Sequence, residues 1–370
     1  MAKHEELTQK YSTYGDKLLR HTDLLHSIQH HGKFKPVTIQ VALTEQCESD
    51  CAFCSVSERP LKSVIPYDKL IDALEVFKDL GAKSLEITGG GNPLLYSDGP
   101  YYRNGSGFMR TITDVISAAY ELGYAIGIIT NSHDFKAIAN NIHHKIDWIR
   151  VSLIKLDEGR EPQDYDFRGF PIEKIGFSYI IYGKTDETPR WKNYRSGTTK
   201  ETIKRLAEMV DLYPAVKFVR IAGNCLIKGH NQAIKEHYRP IIDEIDRYGK
   251  FFVKDIGEND GAFPHGCYVG AIRPYIAPSP NGDGKYYVYA CTSHVLNTRN
   301  YDLKYALCNL DDIAEAWMAM NERYRSHGYP YEISGNCGSN WDQTCKFCYY
   351  GPNNKLLHTV AKPMPDELFV

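Results

Sequence analysis

Short runs rich in β-branched and aromatic residues alternate with amphipathic helical stretches through the middle of the chain. The β-rich runs lie at residues 37–43, 84–88, 125–130, 148–153, 175–182 and 216–222. The helical stretches, with apolar residues at the helical period, lie at residues 67–80, 108–122, 134–143 and 200–213. Gly81 and Gly123 each follow a helical stretch, at the position where a glycine commonly ends a helix. Six strands that alternate with helices predict an α/β fold with a parallel sheet, either doubly wound or barrel-like.

The two ends of the chain depart from this alternation. Residues 1–35 are polar with a helical pattern, and we expect a helical cap before a core domain at residues 36–250. Runs at 271–277 and 285–290 flank a turn-rich segment, which predicts a β-hairpin. A helix is predicted over residues 311–324, with Asp311 or Asp312 as its N-cap. We therefore expect a second, smaller α/β domain at residues 251–352 and a C-terminal tail at residues 353–370.

Residues that could bind a cofactor or take part in catalysis follow the first three predicted strands. Three cysteines follow the first strand, the segment from Gly89 to Pro93 follows the second, and Asn131 and Ser132 follow the third. Active sites of parallel α/β folds lie at the carboxyl ends of their strands. The sequence therefore predicts that these three segments meet at one edge of the sheet.

The three cysteines, Cys47, Cys51 and Cys54, have the spacing C-x3-C-x2-C. Iron–sulfur clusters normally take four cysteine ligands. Three thiolates on one short loop can hold three irons of a [4Fe–4S] cluster and leave the fourth iron open. The alternative is a structural zinc site, which needs a closed tetrahedral set of ligands.

With Phe53 directly before the last cysteine, this triad resembles the signature of the radical S-adenosylmethionine (SAM) family. The resemblance implies a partial (β/α)6 barrel in which the open iron of the cluster binds the amino and carboxylate groups of SAM. One electron then cleaves SAM to methionine and a 5′-deoxyadenosyl radical, which abstracts hydrogen from a substrate C–H bond. The chain would thus be a radical SAM enzyme.

The resemblance also implies which residues contact SAM. These are Phe53, Gly89, Gly90, Gly91, Asn92, Asn131 and Ser152. Glycine lets a backbone approach a ligand closely, and the family uses a glycine-rich loop after the second strand to hold the SAM amino group. Asn92 stands where many members have glutamate. For the polar residues at strand ends, the alternative is a solvated turn.

A second set of cysteines lies in the C-terminal third of the chain. The order of cysteine, hairpin, cysteine, helix and C-x2-C resembles the twitch domain, the truncated form of the SPASM domain, which implies an auxiliary [4Fe–4S] cluster. Six thiolates cannot complete two such clusters, so we expect one. Its ligands would be Cys267, Cys291, Cys345 and Cys348, with Cys337 as an alternative ligand. A zinc ribbon built from the same cysteines is the alternative.

Cys225 follows the sixth predicted strand, on the side where the active site is expected. A thiol at that place could give a hydrogen atom to a substrate radical. Cysteine is also among the most buried residue types, so packing in the core is the alternative interpretation.

Composition narrows the class of protein. The chain has 370 residues, 42% of them hydrophobic and 24% charged, with a formal net charge of −2. These values are typical of a globular protein and give no sign of a nucleic-acid or membrane-surface partner. No apolar run approaches the roughly 18 residues of a transmembrane helix, and the N-terminus lacks a signal sequence, so we expect a cytoplasmic protein.

The expected substrate is a small polar metabolite of the sugar or nucleoside type, which undergoes oxidation or rearrangement. Only 36 residues precede the first predicted strand, fewer than the leader-binding domain that many peptide-modifying relatives carry. We expect an electron donor such as flavodoxin or ferredoxin. Two alternatives remain open: a peptide-modifying radical SAM/SPASM enzyme, and a zinc-stabilised α/β binding protein without radical chemistry.

Overall fold

A computed structural model describes residues 2–11, 15–99, 109–183, 197–226, 236–254, 266–292, 300–332 and 350–362. Within these ranges the strands are β1 (Thr38–Val41), β2 (Ser84–Ile87), β3 (Ser97–Asp98), β4 (Arg110–Thr111), β5 (Ala125–Thr130), β6 (Trp148–Ser152), β7 (Ile175–Ile181), β8 (Val219–Gly223), β9 (Phe251–Val253), β10 (Gly266–Cys267), β11 (Tyr275–Pro278), β12 (Tyr286–Tyr289), β13 (Ala306–Asn309) and β14 (Tyr331–Glu332).

The α-helices are α1 (Ala2–Tyr11), α2 (Thr22–His31), α3 (Tyr67–Asp79), α4 (Ile112–Glu121), α5 (Lys200–Leu212), α6 (Arg239–Ile245), α7 (Val269–Ile272), α8 (Ile313–His327) and α9 (Gly351–Ala361). Helices α3 and α4 end as predicted, since Gly81 and Gly123 follow them with φ angles of 111° and 79°. Within the described ranges, no helix combines the length and apolar character that a membrane crossing requires.

One ten-stranded sheet organises the molecule, in the order β13-β12-β11-β1-β2-β5-β6-β7-β8-β9. Every neighbouring pair from β11 to β9 is parallel, whereas β12 and β13 continue the sheet as antiparallel strands. The two end strands, β13 and β9, do not pair with each other, so the sheet stays open. This arrangement confirms the predicted α/β class, with the strand order of a partial barrel.

The two faces of the parallel strands differ in character. On β6, Ile149 and Val151 are fully buried in the core beneath the helices, whereas Trp148, Arg150 and Ser152 face a cavity on the other side of the sheet. The same alternation holds along the neighbouring strands, because successive side chains of a strand point to opposite faces. The apolar core therefore lies between sheet and helices, and the inner face of the sheet is polar.

The predicted helix at residues 134–143 does not form, and this prediction is wrong. Asp134 forms an isolated bridge with Asp166, and a short 3-10 helix follows at Asn140–Lys145. The Asp134 carboxylate accepts a hydrogen bond from the backbone N–H of Lys136 at 3.1 Å. Such a local side-chain bond offers the backbone an alternative to the helical ladder.

The C-terminal part extends the sheet. The predicted hairpin is present as β11 and β12, and α8 begins after Asp312, as expected. Because β11 pairs with β1, the sheet continues across the domain boundary expected near residue 250. The elements that were not predicted include β9, a further parallel strand after β8, and α9, within the segment expected to be a tail.

Candidate active site

A cavity of about 890 Å³ lies on the inner face of the sheet. This volume is at the upper end of the usual range for ligand pockets, roughly 300–1,000 Å³. Most of the residues selected from the sequence line it, namely Cys47, Cys51, Phe53, Cys54, Gly89, Gly90, Gly91, Asn131, Ser152 and Cys225. The structure therefore brings the cysteine loop, the glycine loop and the ends of β5, β6 and β8 to one place.

The cysteine loop follows β1 and carries the triad at the wall of this cavity. A tight turn lies between the last two cysteines, where the backbone N–H of Cys54 donates to the carbonyl of Cys51 at 3.0 Å. Burial raises the pKa of the Cys47 thiol. A bound metal reverses that effect, since a coordinating thiol is deprotonated outright.

Two polar side chains reach the sulfurs of the triad. Asn131 places Nδ2 3.6 Å from Cys47 Sγ, and Arg59 places Nη1 3.4 Å from Cys54 Sγ. Hydrogen bonds and positive charge at the sulfurs stabilise an iron–sulfur cluster and tune its potential. This donor set fits a [4Fe–4S] cluster.

The triad is not arranged around one metal ion. Among the residues that the structure describes, no three His, Cys, Asp or Glu side chains lie close enough together to hold a single ion. A cubane cluster does not need such closeness, because each cysteine binds a different iron.

Arg59 was not selected from the sequence, and it fixes the cysteine loop from within. Its Nε donates to the carbonyl of Glu45 at 3.0 Å and lies 3.1 Å from Oε2 of the same residue, and its Nη1 donates to the carbonyl of Val56 at 2.9 Å. Glu45 has no exposed surface. Burial raises the pKa of Glu45 to about 8, and the charge of Arg59 opposes this shift.

Replacing Arg59 with methionine is expected to lower the free energy of unfolding of the metal-free protein by about 2–4 kcal/mol. The substitution leaves the buried carbonyls of Glu45 and Val56 without their donor, and each such loss costs about 1–3 kcal/mol. Denaturant unfolding measures the change. Arg168→Met is the control, because that side chain is 90% exposed and its ion pair with Asp166 contributes little. Equal effects of the two substitutions would contradict this role for Arg59.

Close backbone contact explains why glycine occupies position 91. The N–H of Gly91 donates to the carbonyl of Thr44 at 2.8 Å, and the next N–H donates to the carbonyl of Gln46 at 2.7 Å. A Cβ at position 91 would lie 1.8 Å from the Gln46 oxygen. The glycine loop and the cysteine loop are therefore held together backbone to backbone.

Asn92 differs from the expectation, because it is buried and does not line the cavity. Its Nδ2 lies 2.7 Å from Ser132 Oγ and 3.1 Å from Glu48 Oε1. Its Oδ1 accepts hydrogen bonds from Thr130 Oγ1 at 2.7 Å and from the Leu94 backbone at 3.2 Å. The residue joins the three loops at the strand ends. An amide suits this place since it donates and accepts, whereas an ionised glutamate accepts only.

The remaining candidates at the strand ends fall on the cavity wall. Phe53 packs against Tyr182 with ring centroids 5.4 Å apart, and Tyr182 donates to Asp157 at 2.9 Å, which fixes an aromatic side of the cavity. Asn131 donates to Ser49 Oγ at 2.7 Å. Cys225 lies two residues beyond β8, as its position in the sequence suggested.

The structure covers only part of the predicted auxiliary site. Cys337, Cys345 and Cys348 lie outside the described residues. The segments that carry Cys267 and Cys291 run side by side, because a Cβ on Gly270 would be 3.1 Å from that of Ala290. Next to Cys291, the Thr292 hydroxyl lies 3.2 Å from that of Tyr350, two residues beyond Cys348 in the sequence.

Charged side chains line the inner face of the strands, and the sequence analysis did not select them. Glu86 on β2 accepts from Gln40 at 2.7 Å and from Arg273 at 2.9 Å. Arg150 on β6 and Arg220 on β8 face the same cavity. The sequence did contain a signal for these residues. Strands of a parallel sheet that is covered on both faces are normally continuous apolar runs. A charge inside such a run indicates a polar interior.

Searches of known proteins gave matches among solved structures alone. No family model matches the chain, and no curated protein matches it. Streptococcus suis SuiB bound to S-adenosylmethionine shows 16% identity and a TM-score of 0.46, covering 80% of this chain and 70% of that one. The anSMEcpe enzyme with AdoMet and a Cp18Cys peptide shows 12% identity and a TM-score of 0.43, covering 88% and 97%.

BtrN in complex with AdoMet and 2-DOIA shows 14% identity and a TM-score of 0.31, covering 77% of this chain and 83% of that one. All three structures contain S-adenosylmethionine, the cofactor that the cysteine motif predicts here. At such identities, and with TM-scores below 0.5, these likenesses carry no argument about chemistry. The residues of the cavity therefore have to carry the functional assignment.

Proposed function

We propose that this chain is a radical SAM enzyme, which reductively cleaves S-adenosylmethionine and abstracts hydrogen from a substrate C–H bond. The observation that carries the proposal is the triad Cys47, Cys51 and Cys54 at the wall of a large cavity, with Asn131 and Arg59 directed at two of its sulfurs. A reduced cluster held by the triad would supply one electron, and SAM would be cleaved between sulfur and C5′ to methionine and the 5′-deoxyadenosyl radical. That radical takes a hydrogen atom and becomes 5′-deoxyadenosine.

The protein's own residues would bind, orient and shield the reactants. The triad would hold the cluster, and the carbonyls of Gly89, Gly90 and Gly91 would receive the SAM amino group. Phe53 and Ser152 would contact the rest of SAM from their places on the cavity wall. Holding the 5′-carbon against one substrate hydrogen, away from water, is the protein's share of such a reaction.

The outcome of the reaction is proposed at a coarser level. The substrate would be a small polar metabolite that undergoes oxidation or rearrangement, with flavodoxin or ferredoxin as electron donor. Cys267, Cys291, Cys345 and Cys348 would hold one auxiliary [4Fe–4S] cluster, with Cys337 as an alternative ligand. Where the reaction is a rearrangement, Cys225 would give a hydrogen atom to the substrate radical, and one proton and one electron from the same donor would then restore the thiol; its place on the cavity wall supports this role.

An anaerobic SAM-cleavage assay tests the proposal. The protein is reconstituted with iron and sulfide, then reduced with dithionite in the presence of SAM, and products are quantified by mass spectrometry. Formation of 5′-deoxyadenosine and methionine in equal amounts is the expected result. Reconstituted protein that binds zinc in preference to iron and releases neither product would contradict it, and would favour the zinc-stabilised binding protein.

A further inference from the structure

The cavity carries a strong excess of positive charge. Among the residues that the structure describes, its lining includes nine lysines and arginines and two carboxylates. The whole chain has a formal net charge of −2, so this excess is local to the cavity. A cleft lined by one sign of charge attracts ligands of the opposite sign.

Four of these residues, Arg150, Arg220, Lys254 and Arg273, form a set that we call the lumen cations. Arg150 lies two residues before Ser152 on β6, and Arg220 lies two residues before Ala222 on β8. Lys254 follows β9 and its N–H donates to the Ile221 carbonyl at 2.7 Å. With a rise of about 3.3 Å per residue, Arg150 lies roughly 7 Å below the end of β6 and Arg220 roughly 10 Å below the end of β8.

The lumen cations hold several like charges in a partly buried place, and Lys254 is the one most affected by the other three. Burial lowers the pKa of Lys254 well below its usual value, and the charges of Arg220, Arg150 and Arg273 lower it further. Burial also lowers the pKa of Arg150; the charge of Glu86 opposes this shift, and the charge of Arg273 adds to it to a smaller extent. Glu86 is already engaged by Gln40 and Arg273. Crowded like charges cost stability, and proteins commonly keep such costs at functional sites.

Two of the lumen cations also have hydrogen-bond donors that no described residue uses. The Nε atoms of Arg150 and Arg273 are buried and have no hydrogen-bond partner among the described residues. A guanidinium group presents donors in a planar fork that matches the oxygens of a carboxylate or a phosphate. The pocket therefore has both the charge and the donors for an oxyanion.

We propose that the lumen cations bind an anionic group, a phosphate or a carboxylate, on a small-molecule substrate. That the occupant is the substrate rests on the proposed function, because the strand ends above the pocket are the proposed SAM site. The anionic group would anchor the substrate deep in the cavity and leave its neutral part toward the cysteine triad. The negative charge of the cluster would be balanced by Arg59, whose guanidinium group contacts Cys54 Sγ, and not by the lumen cations.

Calorimetric titration of the iron-reconstituted protein tests this inference, with inorganic pyrophosphate and malonate as separate probes for the two kinds of oxyanion. We expect one site per chain for at least one probe. Arg150→Gln should weaken that binding tenfold or more, which corresponds to about 1.4 kcal/mol. Arg150→Lys, which keeps the charge and loses the fork, should show a smaller loss. The control Arg247→Gln removes a 71% exposed arginine and should leave binding unchanged.

The folding of the variants supplies a second readout. Because burial disfavours the charge of Arg150 and its Nε has no hydrogen-bond partner among the described residues, the unfolding temperature of the ligand-free Arg150→Gln protein should equal or exceed that of the wild type. A clear fall, or a loss of iron in this variant, would overturn the inference, as would the absence of a site for both probes or equal affinity in all variants.

These results separate the two proposals. SAM cleavage without anion binding would retain the proposed function and remove the anion pocket. Anion binding without SAM cleavage would keep the pocket and remove the radical chemistry.

Discussion

Replacing Cys47, Cys51 and Cys54 together with alanine is expected to abolish reductive cleavage of SAM and to remove about four irons per chain. The three residues lie on one loop at the cavity wall, and two of their sulfurs receive side-chain hydrogen bonds. Without the thiolates no group remains there to hold the irons, and Asn131 and Arg59 lose their acceptors. Anaerobic reconstitution, iron analysis and quantification of 5′-deoxyadenosine measure the effect.

Cys308→Ala is the matched control for the triad. Cys308 lies on β13, packs against the core and does not line the cavity. Its replacement should leave both iron content and SAM cleavage as in the wild type. Cleavage that survived in the triple variant would remove the triad from the chemistry. An equal loss in Cys308→Ala would show that the assay responds to damage of any cysteine.

Gly91→Ala is expected to lower the free energy of unfolding by about 3 kcal/mol or more and to prevent assembly of the site. The added Cβ would lie 1.8 Å from the carbonyl oxygen of Gln46, which is backbone and cannot turn away. Relief of this clash separates the glycine loop from the cysteine loop and breaks the hydrogen bonds at Thr44 and Gln46. Denaturant unfolding and iron content after reconstitution report the two effects.

Gly159→Ala distinguishes this clash from the general cost of replacing a glycine. Gly159 has a φ of 90°, and no described atom lies within 4 Å of a Cβ placed there. Its replacement should cost about 1–2 kcal/mol through backbone strain and leave iron binding intact. If Gly91→Ala cost no more than Gly159→Ala and still bound iron, the two loops would not depend on close contact at this point.

The positions of the parallel strands, the place of the cysteine loop and its meeting with the glycine loop could be predicted from the sequence. Periodicity identifies the strands, and the topology of a parallel sheet brings the strand ends together. The hydrogen-bond pattern of Asn92 could not be predicted, because it depends on how Thr130, Ser132 and Glu48 meet in space. A residue that joins three loops cannot be identified from its own segment, because its partners come from separate parts of the sequence.

The lumen cations could not be predicted from the sequence for a different reason. Arg150 and Arg220 were each inside a predicted strand, but their shared direction depends on register, with Arg150 opposite Gly176 and Arg220 opposite Ser178. The role of Arg59 could not be predicted for a similar reason, since its partners Glu45 and Val56 become neighbours only when the cysteine loop folds.

Iron and sulfide analysis of the anaerobically reconstituted wild-type protein, together with its absorption spectrum, tests the central claim most directly. With four irons in each cluster, we expect about eight irons and about eight sulfides per chain, and a brown protein that absorbs at about 400 nm. A result of about four irons per chain would support the SAM site and contradict the proposed auxiliary cluster. Zinc without iron would contradict the account.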